Sequence, residues 1–155
     1  MEIRFAQSKD AAGILTLLKQ VGALHHNLRP DIFRANACKY GPSQLFALME
    51  NMDTPIFVAA DGDTILGYCF CQIQRTEKSP VLCDRLTLYI DDLCVLEGHR
   101  GQGIGKALYD QVVRYGKMRR CNGLALNVWQ GNDNAQHFYE KLGFTPQRTI
   151  LEQTL

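Results

Sequence analysis

The sequence has 155 residues, of which 46% are apolar and 21% charged, and 17 Lys and Arg against 16 Asp and Glu give a formal net charge of +1. This length predicts one domain over residues 1–155, able to bury roughly 70% of its unfolded surface, and the composition excludes a disordered chain. The near-neutral charge argues against a nucleic-acid partner. No apolar run is long enough to span a membrane, and the start Met1–Phe5 lacks signal-peptide features, so we expect no membrane partner and a cytoplasmic location.

The cysteines mostly have apolar neighbours, where a free thiol behaves as a small hydrophobe. There is no CxxC pair, and Cys69-x-Cys71 has no second ligand pair elsewhere. The sequence therefore predicts no disulfide framework and no metal site, and it places in the core the residues Cys38, Cys69, Cys71, Cys83, Cys94 and Cys121.

Apolar residues at a spacing of three or four predict two helices in the first third of the chain, after a short strand over residues 3–6. The first helix has Ser8 as its cap and runs through Val21, before an irregular segment over residues 25–31. The second helix has Ser43 as its cap.

Three strands are predicted next, over residues 56–60, 65–74 and 86–95, and the first two form a hairpin. Because both faces of the second strand are apolar, we expect a sheet covered on both sides. The remaining elements are a helix over residues 103–115, a strand over 123–129, a helix ending at Gly143 and a final strand within 148–155. This order predicts an α/β (α+β) fold with a mixed sheet and helices on both faces.

A glycine-rich turn lies between the third of these strands and the following helix. Backbone without Cβ atoms can approach an anion closely, and a helix N-terminus offers free N–H groups, so this turn is typical of a phosphate or pyrophosphate site. A P-loop is excluded because Ala107 follows Gly105-Lys106, and the GxGxG spacing excludes a Rossmann fingerprint. The glycines of the turn are Gly98, Gly101, Gly103 and Gly105.

Two motifs together resemble the GNAT acyl-CoA N-acyltransferases. The run from Arg100 to Gly105 reads Arg-x-x-Gly-x-Gly, and the run from Asn132 to Phe144 reads N-x-x-A-x-x-F-Y-x-K-x-G-F. The segment from Tyr89 to Val95 is also similar to the family's central strand. The resemblance covers nearly the whole chain, is weakest before residue 55, and implies a single N-acetyltransferase domain with a mixed, mostly antiparallel central sheet of six to seven strands and helices on both faces.

By this resemblance, the acetyl group of acetyl-CoA passes directly to a primary amine of a small molecule or protein, through a tetrahedral intermediate and without a metal. The family pairs the end of its central strand with the pantetheine arm, holds the pyrophosphate on the glycine turn, and contacts the CoA arm from the start of the last helix. The corresponding positions are Leu93, Cys94, Val95, Arg100, Gly101, Gln102, Gly103, Ile104, Gly105, Lys106, Asn132 and Ala135.

The resemblance makes Tyr139 the general acid, and polyamine-type members carry an acid at the position of Asp91. We therefore expect Asp91 to act as base through water, with Asp92 as the alternative or as a structural partner. Strand alternation places these two side chains on opposite faces. A chain of water molecules without a carboxylate base remains a further alternative.

Acceptor recognition is expected from the segment after the first helix and from the end of the strand beside the cofactor. The candidate residues are His25, His26, Arg29, Asn127 and Trp129. Loop solvation and helix capping explain the first three equally well. A non-catalytic CoA-binding sensor or interaction module is the alternative function, a nucleotide-binding protein is a third class, and a homodimer is possible.

Overall fold

The computed structural model describes residues 1–155 and contains five strands and four α-helices. None of the helices is both long and apolar enough to cross a bilayer. The elements in chain order are β1 (Glu2–Phe5), α1 (Ala11–Leu28), α2 (Pro42–Glu50), β2 (Ile56–Asp61), β3 (Thr64–Thr76), β4 (Arg85–Val95), α3 (Ile104–Met118), β5 (Gly123–Leu126) and α4 (Asp133–Lys141).

The strands form one sheet in the order β1-β2-β3-β4-β5, antiparallel except for the parallel pair β4 and β5. Apolar side chains cover both faces, as the sequence predicts. On one face Phe57 and Leu88 pack with Leu108 of α3, and on the other Val58 packs with Ile14 of α1 and Leu45 of α2. The α/β class with helices on both faces is therefore confirmed.

The predicted count of six to seven strands is wrong, because the tail forms no strand. Residues 142–155 lie outside the sheet, and β5 ends at Leu126 instead of residue 129. Further along, Glu152 is held by an ion pair to Arg29 at 2.6 Å, away from any ladder.

Both predicted helix caps are also wrong. Ser8 begins a short 3₁₀ turn, and Asp10 at its end accepts hydrogen bonds from Arg4 and from the backbone N–H of Gln7. The second helix begins with Gly41, whose N–H donates to Gln44. The predicted irregular segment over residues 25–31 starts too early, since α1 continues to Leu28.

The core position holds for three of the six cysteines. All six are free thiols; Cys69, Cys71 and Cys94 are buried, Cys121 is half-buried, and Cys38 and Cys83 are exposed. The two exposed cysteines lie in connecting segments that periodicity does not describe. The buried ones lie on β3 and β4, where a small apolar side chain fits between the sheet and the covering helices.

A β-bulge interrupts β4 where it pairs with β3. Phe70 pairs with Asp92 and the next residue, Cys71, pairs with Ile90, so Asp91 has no partner. Before the bulge Leu88 and Ile90 face α3, and after it Cys94 faces α1. Strict alternation therefore fails at the two carboxylates.

Candidate active site

The sheet is open beyond the bulge, between β4 and β5. Their parallel pairing ends at Ile90 and Leu126, whereas β4 continues to Val95. The N–H of Leu96 bonds to the carbonyl of Leu66 on β3, so the backbone of Leu93 and Val95 faces the opposite, open edge. By the same alternation, the backbone of Cys94 faces β3. The open edge offers hydrogen-bonding groups to an extended ligand.

Gln20 of α1 holds the chain at the end of this edge. Its Nε2 donates to the carbonyl of Val95 at 3.0 Å, and its Oε1 accepts from the N–H of Glu97 at 3.0 Å. The Cys94 thiol packs beneath it, and burial raises the pKa of that thiol to about 12. Cys94 is therefore a neutral core residue. Gln20 was not predicted, because one polar residue on an amphipathic helix looks like an ordinary surface position.

The glycine turn leads from β4 into α3. Gly98, Gly101 and Gly103 have φ values of 84°, 77° and 80°, a region that favours glycine, and a Cβ on any of them would meet open space. Gly103 is the N-cap of α3, and no side chain caps the helix. The first-turn N–H groups, starting with Ile104, therefore have no partner within the helix.

Two cations flank this helix start. Arg100 is exposed in the turn. Lys106 lies in the first turn of α3 and contacts Asp110 at 2.7 Å, an exposed pair that holds weakly in water. Gln102 is also exposed and reaches only the carbonyl of Gly98. The turn thus presents free N–H groups, a helix dipole and positive side chains, the combination that binds phosphate.

The second motif places α4 against α3. Asn132 is the N-cap of α4, and its side chain accepts from the N–H of Ala135 at 3.3 Å. Phe138 packs on Gly105, where an added Cβ would lie only 3.3 Å from the ring. Asn132 and Ala135 therefore form the cap of α4, and Gly105 lets Phe138 of α4 pack closely on α3.

Tyr139 lies between Phe138 and Phe144, at ring distances of 5.1 and 5.5 Å. Burial raises the pKa of its hydroxyl well above the usual range, and nearby acidic groups, including Asp92, add to the effect. The hydroxyl is therefore protonated at neutral pH.

The two carboxylates bind tyrosines of one aromatic cluster instead of pointing to opposite faces. Asp91 Oδ2 accepts from the Tyr40 hydroxyl at 2.8 Å, and Asp92 Oδ2 accepts from the Tyr68 hydroxyl at 2.8 Å. Both tyrosines pack on Phe70, at ring distances of 5.4 and 4.9 Å. The bulge explains the correction, since the unpaired residue resets the alternation.

The two carboxyl groups have different environments. Burial raises the pKa of Asp92 to about 6, against the opposing effect of the Tyr68 hydrogen bond. Asp91 is bound by a cation, the Lys39 ammonium, at 2.7 Å. Burial also raises the pKa of Tyr40 and Tyr68, so both hydroxyls remain donors. Three further residues of the site were not predicted, because in the sequence they look like loop and core residues: Lys39, Tyr40 and Tyr68.

An aromatic wall borders this site. His25 stacks on Phe33 at 4.9 Å, and Phe33 meets Trp129 edge-on at 5.1 Å. Burial lowers the pKa of His25, and Lys39 lowers it further, so the imidazole is neutral at pH 7. Of the five residues predicted to contact the acceptor, three have hydrogen-bond partners within the chain: His26 binds the carbonyl of Phe33, Arg29 binds Asp31 and Glu152, and Asn127 donates to the Tyr89 hydroxyl.

The family model for the acetyltransferase (GNAT) family matches residues 23–144. A mutant of the BH1408 protein from Bacillus halodurans has the same fold, with a TM-score of 0.96, 34% identity and coverage of 100% of this chain and 99% of that one.

Among curated relatives, the streptothricin acetyltransferase of Streptomyces lavendulae is 35% identical over 61% of this chain and 47% of its own length. The N-alpha-acetyltransferase 30 of Schizosaccharomyces pombe is 33% identical over 57% of this chain and 55% of its own length. The chain thus spans about half the length of these two relatives. With a family match over residues 23–144, on top of the open β4 edge and the glycine turn, the chain belongs to the GNAT acetyltransferase family.

Proposed function

We propose that the protein is an acetyl-CoA-dependent N-acetyltransferase that acts on a primary amine. The observation that carries the proposal is the position of the open edge of β4. It lies between the glycine turn at one end and Asp91 and Asp92 at the other. An extended donor bound along this edge would have its anionic part at the glycine turn and its reacting part beside the acidic side chains.

The chain fits the donor at both ends. The backbone of Leu93 and Val95 would pair with the amide-bearing pantetheine arm like an added strand. The free N–H groups of α3, with Arg100 and Lys106, would hold the pyrophosphate. Bound acetyl-CoA supplies an activated acetyl thioester, and the N–H of Leu93 would polarise its carbonyl.

We assign roles in the reaction to three side chains, two of which transfer protons. An alkyl amine is mostly protonated at neutral pH, so Asp91, through water, would accept a proton before the amine attacks. Tyr139 would donate a proton to the departing thiolate, a role that its raised pKa supports. Asp92, buried beside Tyr68, would hold negative charge near the acceptor ammonium.

The acceptor would lie between these carboxylates and the aromatic wall of His25, Phe33 and Trp129. A cationic amine fits this environment, because aromatic faces and carboxylates attract positive charge. The neutral His25 adds no repulsion. The acceptor is therefore a primary ammonium with a short apolar or aromatic-contacting body, either free or on a protein chain.

The test measures thiol release from acetyl-CoA over a panel of primary amines, including lysine, polyamines and peptide N-termini. Calorimetry with CoA, ATP and NAD runs in parallel. Binding of CoA together with turnover of at least one amine supports the proposal. Binding of CoA without turnover of any amine would point to the sensor or interaction module, and preference for ATP or NAD would overturn the donor assignment.

A further inference from the structure

One lysine of the chain lies where an acceptor amine would have to lie. Lys39 belongs to the connection between α1 and α2, and its Nζ is 2.7 Å from Asp91 Oδ2. The same carboxylate oxygen accepts from the Tyr40 hydroxyl at 2.8 Å, and the ammonium is 5.5 Å from the Tyr40 ring centre. The positive charge of Lys39 also lowers the pKa of both Asp92 and His25.

The ion pair differs from an ordinary surface pair in its acid. The Lys39 side chain is 44% exposed, whereas that of Asp91 is only 14% exposed. Asp91 is the unpaired residue of the bulge. The backbone of the bulge therefore fixes the position of its carboxylate in the site. The lysine is a flexible, solvent-reached amine bound to a fixed carboxylate.

The reacting end of the donor would be within reach of this amine. Leu93, whose N–H faces the open edge, is two residues beyond Asp91, roughly 6.6 Å at about 3.3 Å per residue. The four-carbon stem of a lysine can shift its ammonium by several ångströms through rotamer changes alone. Such rotamer changes would carry Nζ from Asp91 towards a thioester held at Leu93.

We propose that Lys39 is an internal acceptor and is acetylated by the site that contains it. The inference rests on the proposed function. Lys39 Nζ gives one proton to Asp91, and its lone pair attacks the thioester carbon. The C–N bond forms, the C–S bond breaks, and the thiolate takes the Tyr139 proton. The second proton lost from the nitrogen restores the Tyr139 hydroxyl through water, and the proton on Asp91 leaves to solvent, so the products are acetyl-lysine, free CoA and one proton.

This modification has a consequence for the site. Acetylation removes the positive charge that binds Asp91, so the carboxylate loses its internal partner. An external amine and Lys39 compete for the same carboxylate before the modification and no longer compete after it. The same chemistry defines the external acceptor as a primary ammonium on a lysine-like chain.

The test incubates the full chain with acetyl-CoA and no added amine, then maps acetylated lysines by peptide mass spectrometry over time. Lys9, exposed in the 3₁₀ turn before α1, is one reference, because it lies outside the donor-binding residues. Lys19, exposed on α1, reports chemical acetylation by the thioester alone. We expect Lys39 to react at least about tenfold faster than either reference, since acid and base catalysis contributes 10²-fold or more.

Four further measurements make the outcome decisive. The rate at Lys39 should not depend on protein concentration, should fall with added amine acceptor, and should fall to the reference rate in Tyr139→Phe. Lys39→Arg should abolish the thiol released without acceptor. Equal acetylation of all lysines, or a rate proportional to protein concentration, overturns the inference.

The failures of the two proposals are distinguishable. If external amines are acetylated and Lys39 is not, the inference fails while the proposed function stands. If CoA does not bind in calorimetry and no amine reacts, the proposed function fails as well. If Tyr139→Phe fails to fold by circular dichroism, Asp91→Asn serves as the second variant, with the same loss expected at Lys39.

Discussion

The hydroxyl of Tyr68 donates a 2.8 Å hydrogen bond to Oδ2 of Asp92. Tyr68 is fully buried on β3, and its ring packs against Phe70. The bond fixes a carboxyl group whose charge is otherwise disfavoured by burial. The net effect of burial raises the pKa of Asp92 to about 6, although the Tyr68 hydrogen bond acts in the opposite direction.

Asp92→Asn should change how stability depends on pH. An unfolded Asp titrates near 3.9, whereas the folded pKa is about 6 because of burial. Between about pH 4 and pH 6 the folded state holds a proton that the unfolded state has lost, so the free energy of unfolding falls as pH rises across this window, by up to about 3 kcal/mol. Urea denaturation at pH 4 and pH 7 should show a less favourable change in the free energy of unfolding for the wild type than for Asp92→Asn, and equal changes would contradict the buried environment of Asp92.

Asp53→Asn provides the contrast. Arg75 lowers the pKa of Asp53, so its contribution to stability is present above the unfolded pKa and is lost as pH falls. Compared with the wild type, Asp53→Asn should therefore lose less stability as pH falls, whereas Asp92→Asn should lose less stability as pH rises. The same sign for both variants would contradict the assigned environments.

Tyr139→Phe should lower kcat by about 10²-fold or more, because the general acid is removed. The KM for acetyl-CoA and the melting temperature should change little, since the ring and its contacts with Phe138 and Phe144 remain. Steady-state thiol release and thermal unfolding measure both. Tyr109→Phe is the matched control, because Tyr109 also meets Phe144 edge-on, at 5.9 Å, and should retain activity.

Gly103→Ala should raise the KM for acetyl-CoA several-fold. An alanine at φ 80° costs about 1–2 kcal/mol, and relief of this strain would move the N–H groups at the start of α3. Gly62→Ala is the control, since Gly62 has φ 59° in the β2–β3 turn and open space around it. Both variants should lose similar stability, and a similar rise of KM in both would exclude a specific role for the glycine turn.

Gln20→Ala should also raise the KM for acetyl-CoA, with a smaller effect on kcat. The side chain joins the carbonyl of Val95 to the N–H of Glu97 and so sets the glycine turn relative to β4. Gln44→Ala removes a comparable bond, to the N–H of Gly41, at the start of α2. Isothermal titration with CoA should show weaker binding for Gln20→Ala alone; equal binding by the two variants would remove Gln20 from this role.

The sequence predicted those parts of the fold that follow from regular spacing. The 3.6-residue period located α1 and α3, and the glycines located the turn that caps α3. The bulge at Asp91 was missed because alternation in one strand carries no information about its partner's register. The final strand was wrong because an apolar tail needs a neighbour to pair with, which sequence spacing cannot show.

Within the candidate site, the family resemblance predicted Tyr139 and Asp91 and the strand pattern added Asp92, while the partners of the two carboxylates were not predicted. Lys39 and Tyr40 lie in a segment without helix or strand, and their contact with Asp91 spans about fifty positions of the chain. No local pattern encodes such a distant pair. The burial that raises the pKa of Asp92 likewise depends on side chains from other elements.

One surplus residue accounts for the opening of the sheet. The pairing of β4 with β5 stops at Ile90, the residue immediately before the bulge, and bulges bend and twist the strand that contains them. A chain shortened by Asp91 would form an unbroken ladder, with Ile90 and Asp92 as neighbours opposite Cys71 and Phe70. Such a protein would keep its hydrophobic layers, and β4 would pair further along β5. It would gain backbone hydrogen bonds and lose the groove in which chemistry could occur.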